Sequence, residues 1–474
     1  MKLGEIAECI GAQGQLNETW AQLEPRGVSI DSRTIRPGEL FFALRGPRHD
    51  GHDFVGEALT RGACGAVVSE AMPPLRFQAP QAAFLRVKDT LAALHTLARA
   101  VRERWGGPVI GITGSAGKTM TKELTARLLA AEGARVLKSA GNLNNTYGLP
   151  LALLQLISAG VRPETIDYVV VEMGMSAAGE LTQLCSIAHP DVGVITNVSS
   201  VHLEFFPSVE AIAEAKAELI DHLKDDGLAV LNLDDPLVAR MRFRRLIPAR
   251  TFGIEALVDV TARDIHLRGL AGSRFTLRTP RGDVAVTLPL LGRHNIYNAL
   301  AAAAVADYYG VSLGRMAQAL SEAVPAPMRG ELIEFPQGFK VINDAYNSNP
   351  RALTEMVTTL CAVNGVGRRI VVAGEMLELG HDAARLHRAC GREMARRGVD
   401  VVVGVRGLAR QVIAGAQEEA GASLVTHFCE TPEAAAHWLF DNLQDGDLVL
   451  VKGSRGVRME RVIETLWQLS AERG

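Results

Sequence analysis

The sequence predicts an α/β protein with parallel sheets, and three observations lead to this fold class. Apolar runs of strand length alternate with stretches of helical periodicity, which is typical of parallel sheets with crossover helices. A glycine-rich turn at residues 114–117 joins one such strand to a helix. The length of 474 residues suits about three domains. Together with a Pro- and Gly-rich linker at 325–330, these features predict domains at residues 1–86, 87–325 and 326–474.

Composition argues against several classes of protein. The net charge of −3 gives no basic surface for nucleic acid. No apolar run approaches the roughly 20 residues of a membrane span, and the first six residues lack the apolar core of a signal peptide. The six cysteines are scattered without a CxxC pair, as in reduced cytosolic proteins. We expect a cytoplasmic protein, and a monomer, whose partners are small molecules.

The first domain is predicted to contain four short strands, at 28–30, 40–44, 66–69 and 84–87. Asp31, Ser32 and Arg33 follow the first strand, at the position where an open sheet binds ligands. Local chemistry alone favours a structural role, in which Asp31 and Ser32 cap a turn and Asp53 caps the following helix.

The glycine-rich turn of the second domain is typical of a phosphate-binding loop. A buried strand ends at Ile112 and runs into Thr113-Gly-Ser-Ala-Gly-Lys-Thr119, where Lys118 and Thr119 open a helix. Backbone N–H groups at such a turn bind phosphate, the lysine reaches the outer phosphates, and the hydroxyl binds Mg²⁺. The general motif has a glycine where this chain has Ile112. A purely structural glycine turn is the alternative.

A second part of the nucleotide site is predicted at Glu172, which ends an apolar strand at 167–171. An acid at the carboxyl end of a buried parallel strand binds or orders the metal opposite the P-loop, whereas the alternative is a helix-capping glutamate. Between the two motifs, the segment 141–150 contains three amides within four residues, which suit either a binding loop or a run of Asx-turns.

Lys216 lies on the apolar stripe of a predicted helix, together with Val209, Ile212, Leu219 and Leu223. Its side chain could snorkel so that the ammonium reaches water, and the stripe alone favours this interpretation. Alternatively, desolvation lowers the pKa of the ammonium and populates a neutral, reactive amine.

The remaining sequence predicts β-rich decoration at 251–289, an alanine-rich helix after Gly292, and a second parallel, doubly wound unit. Asn295 and Asn298 share one face at the start of that helix, where they either cap it or bind an adenine edge. The strands of the second unit are predicted at 339–342, 370–373, 401–403 and 448–451, and polar residues follow three of them.

Seven motifs in one order make the chain resemble the Mur ligase family along its whole length. They are Thr113-Gly-x-x-Gly-Lys-Thr119, Glu172, Asn197-x-x-x-x-His202 with Lys216, Gly292-x-His-Asn-x-x-Asn298, Arg329, Asp344 and Lys452-Gly-Ser454. The shortened P-loop is the form found in that family, although Asn343 stands where the family usually has Asp. Segments 141–150, 171–174, 344–350 and 374–380 are most similar to the member that adds D-alanyl-D-alanine.

The resemblance implies an ATP-dependent ligase of peptidoglycan precursor synthesis. The tripeptide carboxylate of UDP-N-acetylmuramoyl-tripeptide would be phosphorylated, and the amine of D-alanyl-D-alanine would attack the acyl phosphate. The first domain would bind the UDP substrate, the central P-loop domain would bind ATP, and the third would be Rossmann-like. The alternatives are a sibling that adds diaminopimelate or lysine, whose His-Thr-Pro and DNP-type motifs the sequence lacks, and a P-loop nucleotide switch.

The resemblance also implies roles for individual residues. The catalytic residues would be Lys118, Lys216, His202 and Glu172. One Mg²⁺ would bind Thr119 and Glu172, and a second would bind His202 and a carbamylated Lys216. ATP would bind Thr113, Gly114, Ser115, Ala116, Gly117, Lys118, Thr119, Asn295, Asn298, Arg329 and Asp344. The UDP substrate and the dipeptide would bind Ser32, Arg33, Asn142, Asn145, Tyr346, Asn347 and Asn349.

Overall fold

A computed structural model of the protein describes residues 1–14, 16–69, 82–141, 143–199 and 204–473. Three sheets organise these residues, and the α/β class predicted from the sequence is confirmed. The first sheet is parallel, with its four strands in chain order: β1 (Val28–Ser29), β2 (Leu40–Phe42), β3 (Gly65–Val68) and β4 (Ala83–Arg86).

The central sheet has nine strands among the described residues. They are β5 (Val109–Thr113), β6 (Val136–Lys138), β7 (Tyr168–Glu172), β8 (Val192–Ile195), β9 (Leu228–Asn232), β10 (Ala249–Gly253), β11 (Val260–Leu267), β12 (Ser273–Thr279) and β13 (Gly282–Leu288). Their order is β13-β12-β11-β10-β9-β8-β5-β7-β6, parallel from β6 to β11 and antiparallel beyond. The segment predicted as decoration therefore extends the central sheet.

The third sheet has six strands among the described residues, in the order β14-β15-β19-β16-β17-β18. They are β14 (Glu331–Glu334), β15 (Lys340–Asp344), β16 (Arg369–Gly374), β17 (Val401–Val405), β18 (Val425–Cys429) and β19 (Leu448–Lys452). All pairs are parallel except β14 with β15. The sequence missed β14 and β18 because these edge strands alternate or mix polar residues, whereas the four predicted strands are continuous apolar runs.

Helices cover the sheets. They are α1 (Leu3–Cys9), α2 (Glu18–Gln22), α3 (Val55–Thr60), α4 (Thr90–Trp105), α5 (Lys118–Ala130), α6 (Gly148–Leu154), α7 (Glu180–Ala188), α8 (Val209–Asp221), α9 (Pro236–Met241), α10 (Arg293–Tyr308), α11 (Leu313–Ser321), α12 (Pro350–Cys361), α13 (Ala383–Arg396), α14 (Ala409–Ala420), α15 (Pro432–Asn442) and α16 (Glu460–Arg473). The central sheet lies between two apolar cores, with α4, α6, α7 and α8 in one and α5, α10 and α11 in the other. No helix of the described ranges is both long and apolar enough to cross a bilayer.

Two local predictions are resolved by backbone contacts in the first domain. Asp31 Oδ1 accepts the N–H of Arg33 at 3.0 Å, so Asp31 does cap a turn. The cap predicted at Asp53 is supplied by Asp50, whose Oδ1 accepts the N–H of His52 at 3.0 Å. The helical segment begins earlier than the apolar stripe indicated, because a short 3₁₀ turn precedes α3.

Strand register places the predicted motifs at one edge of the central sheet. Ile112 of β5 lies beside Glu172 of β7, and Thr113 lies beside Ile195 of β8. In the third sheet, Asp344 and Lys452 are likewise paired at the carboxyl ends of β15 and β19. Ligands of open α/β sheets bind beyond the carboxyl ends of strands, so both edges are candidate binding sites.

Candidate active site

The P-loop turn follows β5 and packs tightly against neighbouring side chains. Thr196 Oγ1 donates to the carbonyl of Ala116 at 2.6 Å. A Cβ at Gly114 would lie 1.9 Å from Thr196 Oγ1. Gly117 has a φ of +84°, and a Cβ there would lie 2.3 Å from Asn298 Oδ1. Both positions require glycine, so the compact backbone of the turn is set by its surroundings.

The turn is also tied to the segment after β8. The N–H groups of Ser115 and Ala116 donate to the carbonyl and the side-chain Oδ1 of Asn197, at 2.9 and 3.0 Å. Thr113 is fully buried at the end of β5. The first N–H groups of α5 have no acceptor within the helix and are the donors available to a phosphate.

The Lys118 side chain folds back over the turn, where its Nζ donates to the carbonyl of Gly114 at 2.8 Å. Burial lowers the pKa of the Lys118 ammonium, the Glu172 carboxylate opposes this shift, and Arg329 adds to it.

Thr119 and Glu172 meet as the sequence predicts, and a third residue joins them. Thr119 Oγ1 donates to Glu172 Oε2 at 2.7 Å, and Asn144 Nδ2 donates to Glu172 Oε1 at 2.8 Å. The N–H of Glu172 donates to Ser139 Oγ at 3.2 Å. Glu172 is only 2% exposed, so these contacts satisfy a buried carboxylate and fix its orientation.

The donors at this position fit Mg²⁺, because hydroxyl and carboxylate oxygens are hard ligands. The described part of the chain contains no group of three or more His, Cys, Asp and Glu residues placed to hold a metal ion. A Mg²⁺ ion bound to Thr119 and Glu172 would thus need further oxygens, which a nucleotide phosphate supplies in P-loop sites.

Lys216 is buried on α8, with only 2% of the residue exposed, so its side chain does not snorkel to water. Burial lowers the pKa of its ammonium well below the ordinary lysine value, and the charge of Lys118 adds to the shift. The amine of Lys216 is therefore populated in its neutral form far more readily than that of an exposed lysine.

Asn295 and Asn298 lie on one face of α10 beside the P-loop. Asn298 Nδ2 donates to Asn295 Oδ1 at 2.9 Å, and Asn298 Oδ1 accepts from Thr121 Oγ1 at 3.3 Å. Asn295 Nδ2 donates to the carbonyl of Leu291 at 2.8 Å. This chain of amides orders the side chains at the wall of the cleft. The predicted cap by Asn295 or Asn298 is wrong, because the N-cap residue of α10 is Gly292 and no side chain caps the helix.

The third domain contributes the opposite wall. The Lys452 Nζ lies 2.5 Å from Asp344 Oδ2 and donates to the carbonyl of Asn347 at 2.9 Å. The guanidinium of Arg329 stacks over the ring of Tyr346, 4.1 Å from its centroid. Both pairs combine a cation with a neighbour that fixes its position.

One cleft of about 560 Å³ is lined from both sides. Gly117 and Asn298 contribute from the central domain, and Arg329, Asp344 and Lys452 contribute from beyond the linker. A volume of this size holds a nucleotide-sized ligand.

Other predicted residues have mainly structural contacts. Asn145 Oδ1 accepts the N–H groups of Tyr147 and Gly148 at the start of α6, and Asn349 Oδ1 caps α12 through Ala352. These are the Asx-turn and capping contacts that local sequence also allowed.

In the first domain, Ser32 Oγ donates to Glu57 Oε2 at 2.7 Å and is mostly buried, whereas Arg33 is exposed and pairs with Asp31 at 2.7 Å. Arg33 is therefore open to a ligand, and the Ser32 hydroxyl is held by Glu57 beside it. Asn142 and His202 lie outside the described residues.

The sequence did not predict the individual contacts of two residues of the site, Asn144 and Lys452. Asn144 stood among three similar amides, and only the fold shows that it contacts Glu172. Lys452 was part of a family motif, but its pairing with Asp344 follows from the adjacency of β15 and β19, which are far apart in the chain.

The geometry defines a P-loop nucleotide cleft shared by two α/β domains, and comparison with known proteins identifies the family. Models of three Mur ligase domains match consecutive segments: the Mur ligase family catalytic domain at residues 24–102, the Mur ligase middle domain at 112–306, and the Mur ligase glutamate ligase domain at 328–455. The chain therefore belongs to the Mur ligase family.

Particular relatives narrow this assignment. The UDP-N-acetylmuramoyl-tripeptide–D-alanyl-D-alanine ligase of Bacillus subtilis (strain 168) is 35% identical over 463 residues, which cover 97% of each chain. A crystal structure of MurF from Acinetobacter baumannii superimposes with a TM-score of 0.86 at 30% identity, covering 98% of each chain. MurF from Thermotoga maritima, solved in complex with ADP, has a TM-score of 0.80 at 30% identity, covering 95% of this chain and 99% of that one.

Proposed function

We propose that this protein is an ATP-dependent ligase that joins D-alanyl-D-alanine to the carboxylate of UDP-N-acetylmuramoyl-tripeptide. Full-length similarity to ligases of that name supports the substrates. The observation that carries the proposal is the shared cleft: Ala116 and Gly117 of the P-loop line the same cavity as Arg329, Asp344 and Lys452 from the opposite wall. A reaction between a nucleotide bound to one domain and substrates bound to another needs a cleft that both domains line.

The proposed chemistry makes a poor acyl donor reactive. The substrate carboxylate attacks the γ-phosphorus of ATP, ADP leaves, and an acyl phosphate forms. The dipeptide amine then attacks the acyl carbon, phosphate leaves, and the amine proton passes to solvent or a base. Both steps concentrate negative charge on oxygen, which Lys118, Arg329 and the N-terminus of α5 would stabilise.

Thr119 and Glu172 would hold one Mg²⁺, which in P-loop enzymes neutralises the charge of the β- and γ-phosphates. The neutral amine of Lys216 would add to CO₂ and lose a proton, which gives a carbamate. This group would act as a carboxylate ligand of a second Mg²⁺, together with His202. The buried position of Lys216 and its lowered pKa support this step, because only the neutral amine combines with CO₂.

The other proposed contacts assign a different part of the substrates to each domain. Asn295 or Asn298 would bind adenine, Asp344 the ribose, and Arg329 with Thr113 and the turn 114–117 the phosphates. Ser32 and Arg33 of domain 1–86 would bind the uridine diphosphate. Tyr346, Asn347 and Asn349 would lie near the dipeptide, and Asn142 and Asn145 would contact the UDP substrate or the dipeptide. ATP and UDP-linked precursors place the proposed reaction in the cytoplasm.

Phosphate release with UDP-N-acetylmuramoyl-tripeptide, ATP and one amine at a time tests the proposal. We expect release with D-alanyl-D-alanine and little with diaminopimelate, lysine or D-glutamate. Preference for one of those amines would assign a sibling activity. Rapid ATP hydrolysis without carboxylate or amine would indicate a nucleotide switch.

A further inference from the structure

The carboxylate of Glu172 is held from both sides. Thr119 Oγ1 donates to its Oε2, and Asn144 Nδ2 donates to its Oε1. The backbone of Asn144 is docked as well, because its carbonyl accepts the N–H of Gly174, two residues beyond Glu172, at 2.8 Å. The orientation of the carboxylate therefore depends on where the segment containing Asn144 lies.

That segment is held by Lys122, a residue that has no role in the proposed ligase reaction. Lys122 is completely buried on α5, and its Nζ donates to the carbonyls of Ser139 at 2.7 Å and Gly141 at 3.1 Å. The Nζ also lies 3.2 Å from Oε1 of Glu123. Burying a lysine is costly unless its donors are satisfied, and here the satisfying groups belong largely to the segment that leads to Asn144.

The contacts form a closed ring. Lys122 lies three residues after Thr119 on α5, so both side chains leave the same face of that helix. One branch runs directly from Thr119 to Glu172. The other runs from Lys122 through the carbonyls of segment 139–141 to Asn144 and back to Glu172. The P-loop helix thus positions the metal-binding carboxylate by two routes.

We propose that Lys122 is a positioning residue for the metal–nucleotide site: it holds residues 139–141, where the carbonyl of Ala140 accepts the N–H of Leu143 at 3.1 Å, and so fixes Asn144 and, through Asn144, the carboxylate of Glu172. The inference rests on the proposed function, in which Glu172 is a Mg²⁺ ligand. Groups that orient a metal ligand typically change metal affinity or activity by 10–100-fold when they are removed.

Lys122→Met, Asn144→Ala and the double variant of the full-length chain test the ring. Mn²⁺ affinity is measured by electron paramagnetic resonance of the free ion, with a non-hydrolysable ATP analogue present. We expect each single variant to weaken Mn²⁺ binding about tenfold or more. The double variant should be no weaker than the worse single one, since both changes break the same branch.

Lys138→Met is the matched control. Lys138 also pairs with Glu123, but its side chain is half exposed. Its ammonium donates to Glu123, whereas that of Lys122 donates to the carbonyls of Ser139 and Gly141, so truncating Lys138 should leave Mn²⁺ affinity unchanged. Unchanged affinity in either Lys122→Met or Asn144→Ala, or independent multiplying losses in the double variant, would overturn the proposal. If Lys122→Met fails to fold by circular dichroism, Lys122→Gln, which keeps one donor, replaces it and should give an intermediate loss.

The same preparations separate this inference from the proposed function. If the wild type shows no amine-dependent phosphate release but Lys122→Met and Asn144→Ala both weaken Mn²⁺ binding about tenfold, the ligase assignment is refuted and the positioning role of Lys122 stands. Normal ligase activity of the wild type, together with unchanged Mn²⁺ affinity in the variants, would refute the proposed role of Lys122 and leave the ligase assignment intact.

Discussion

Two lysines are buried to nearly the same extent in the central domain, yet their surroundings differ. Lys122 on α5 donates to two carbonyls and lies beside a carboxylate. Lys216 on α8 lies on an apolar stripe, and its strongest electrostatic neighbour among the described residues is another cation, Lys118. Burial alone therefore does not determine what a lysine does. Satisfied donors make Lys122 a structural tie, whereas desolvation lowers the pKa of Lys216 and favours its neutral amine.

The largest effect should follow from removing the amine of Lys216. Lys216→Ala and Lys216→Arg should both be inactive, because neither side chain can form a carbamate and a guanidinium keeps its positive charge. Steady-state phosphate release measures this. An active arginine variant would contradict the carbamate and leave Lys216 with a packing role.

Chemical rescue sharpens the same point. Short carboxylic acids should restore part of the activity of Lys216→Ala, because an added carboxylate can occupy the vacated ligand position. They should not restore Lys216→Arg, whose side chain fills that space. Equal behaviour of the two variants towards added acids would count against a carboxylate at this position.

Lys118→Ala should lower kcat strongly while leaving the fold intact. Loss of a charge contact made in the transition state costs about 3–4 kcal/mol by analogy with an oxyanion donor, or roughly 10²–10³ in rate. Turnover near that of the wild type would refute the phosphate-binding role of the loop. Circular dichroism provides the check on folding.

Replacing the two buried lysines by methionine should change the free energy of unfolding in opposite directions. Lys122→Met should lower the free energy of unfolding, because each buried carbonyl left without a donor costs about 1–3 kcal/mol. Lys216→Met should raise it in bicarbonate-free buffer, because methionine fills the apolar site without the cost of a buried amine. Chemical denaturation of both variants tests this, and shifts of the same sign would remove the distinction drawn between them.

The pH dependence of the Lys216→Met effect should be small but diagnostic. Because the pKa of Lys216 is lowered in the folded chain, the cost of the buried charge is fully present below that lowered pKa. The cost disappears as pH rises towards the ordinary value of 10.5. The gain in stability of Lys216→Met over wild type should therefore shrink with rising pH, and a gain that grows would contradict the lowered pKa.

The sequence predicted the parts of the site that short motifs define. The P-loop, the acid at the end of β7 and the buried stripe of α8 each depend on local periodicity, so their positions could be predicted without the fold. Whether Lys216 snorkels or is buried could not be predicted from the sequence, since this depends on the elements that pack over the stripe.

Contacts between distant segments were beyond sequence reasoning. The partnership of Lys122 with residues 139–141 and that of Asn144 with Glu172 require β5, β6 and β7 to be adjacent. The edge strands β14 and β18 were missed for a different reason, because their polar residues interrupt the apolar pattern.

The central claim, that ATP activates a substrate carboxylate for amide formation, is tested most directly with oxygen isotopes. UDP-N-acetylmuramoyl-tripeptide with ¹⁸O in the reacting carboxylate is turned over with ATP and D-alanyl-D-alanine, and the released phosphate is analysed by mass spectrometry. An acyl phosphate transfers one carboxylate oxygen, so the account predicts one ¹⁸O in each phosphate released. Phosphate without ¹⁸O would show that ATP is hydrolysed by water and would contradict the ligase mechanism.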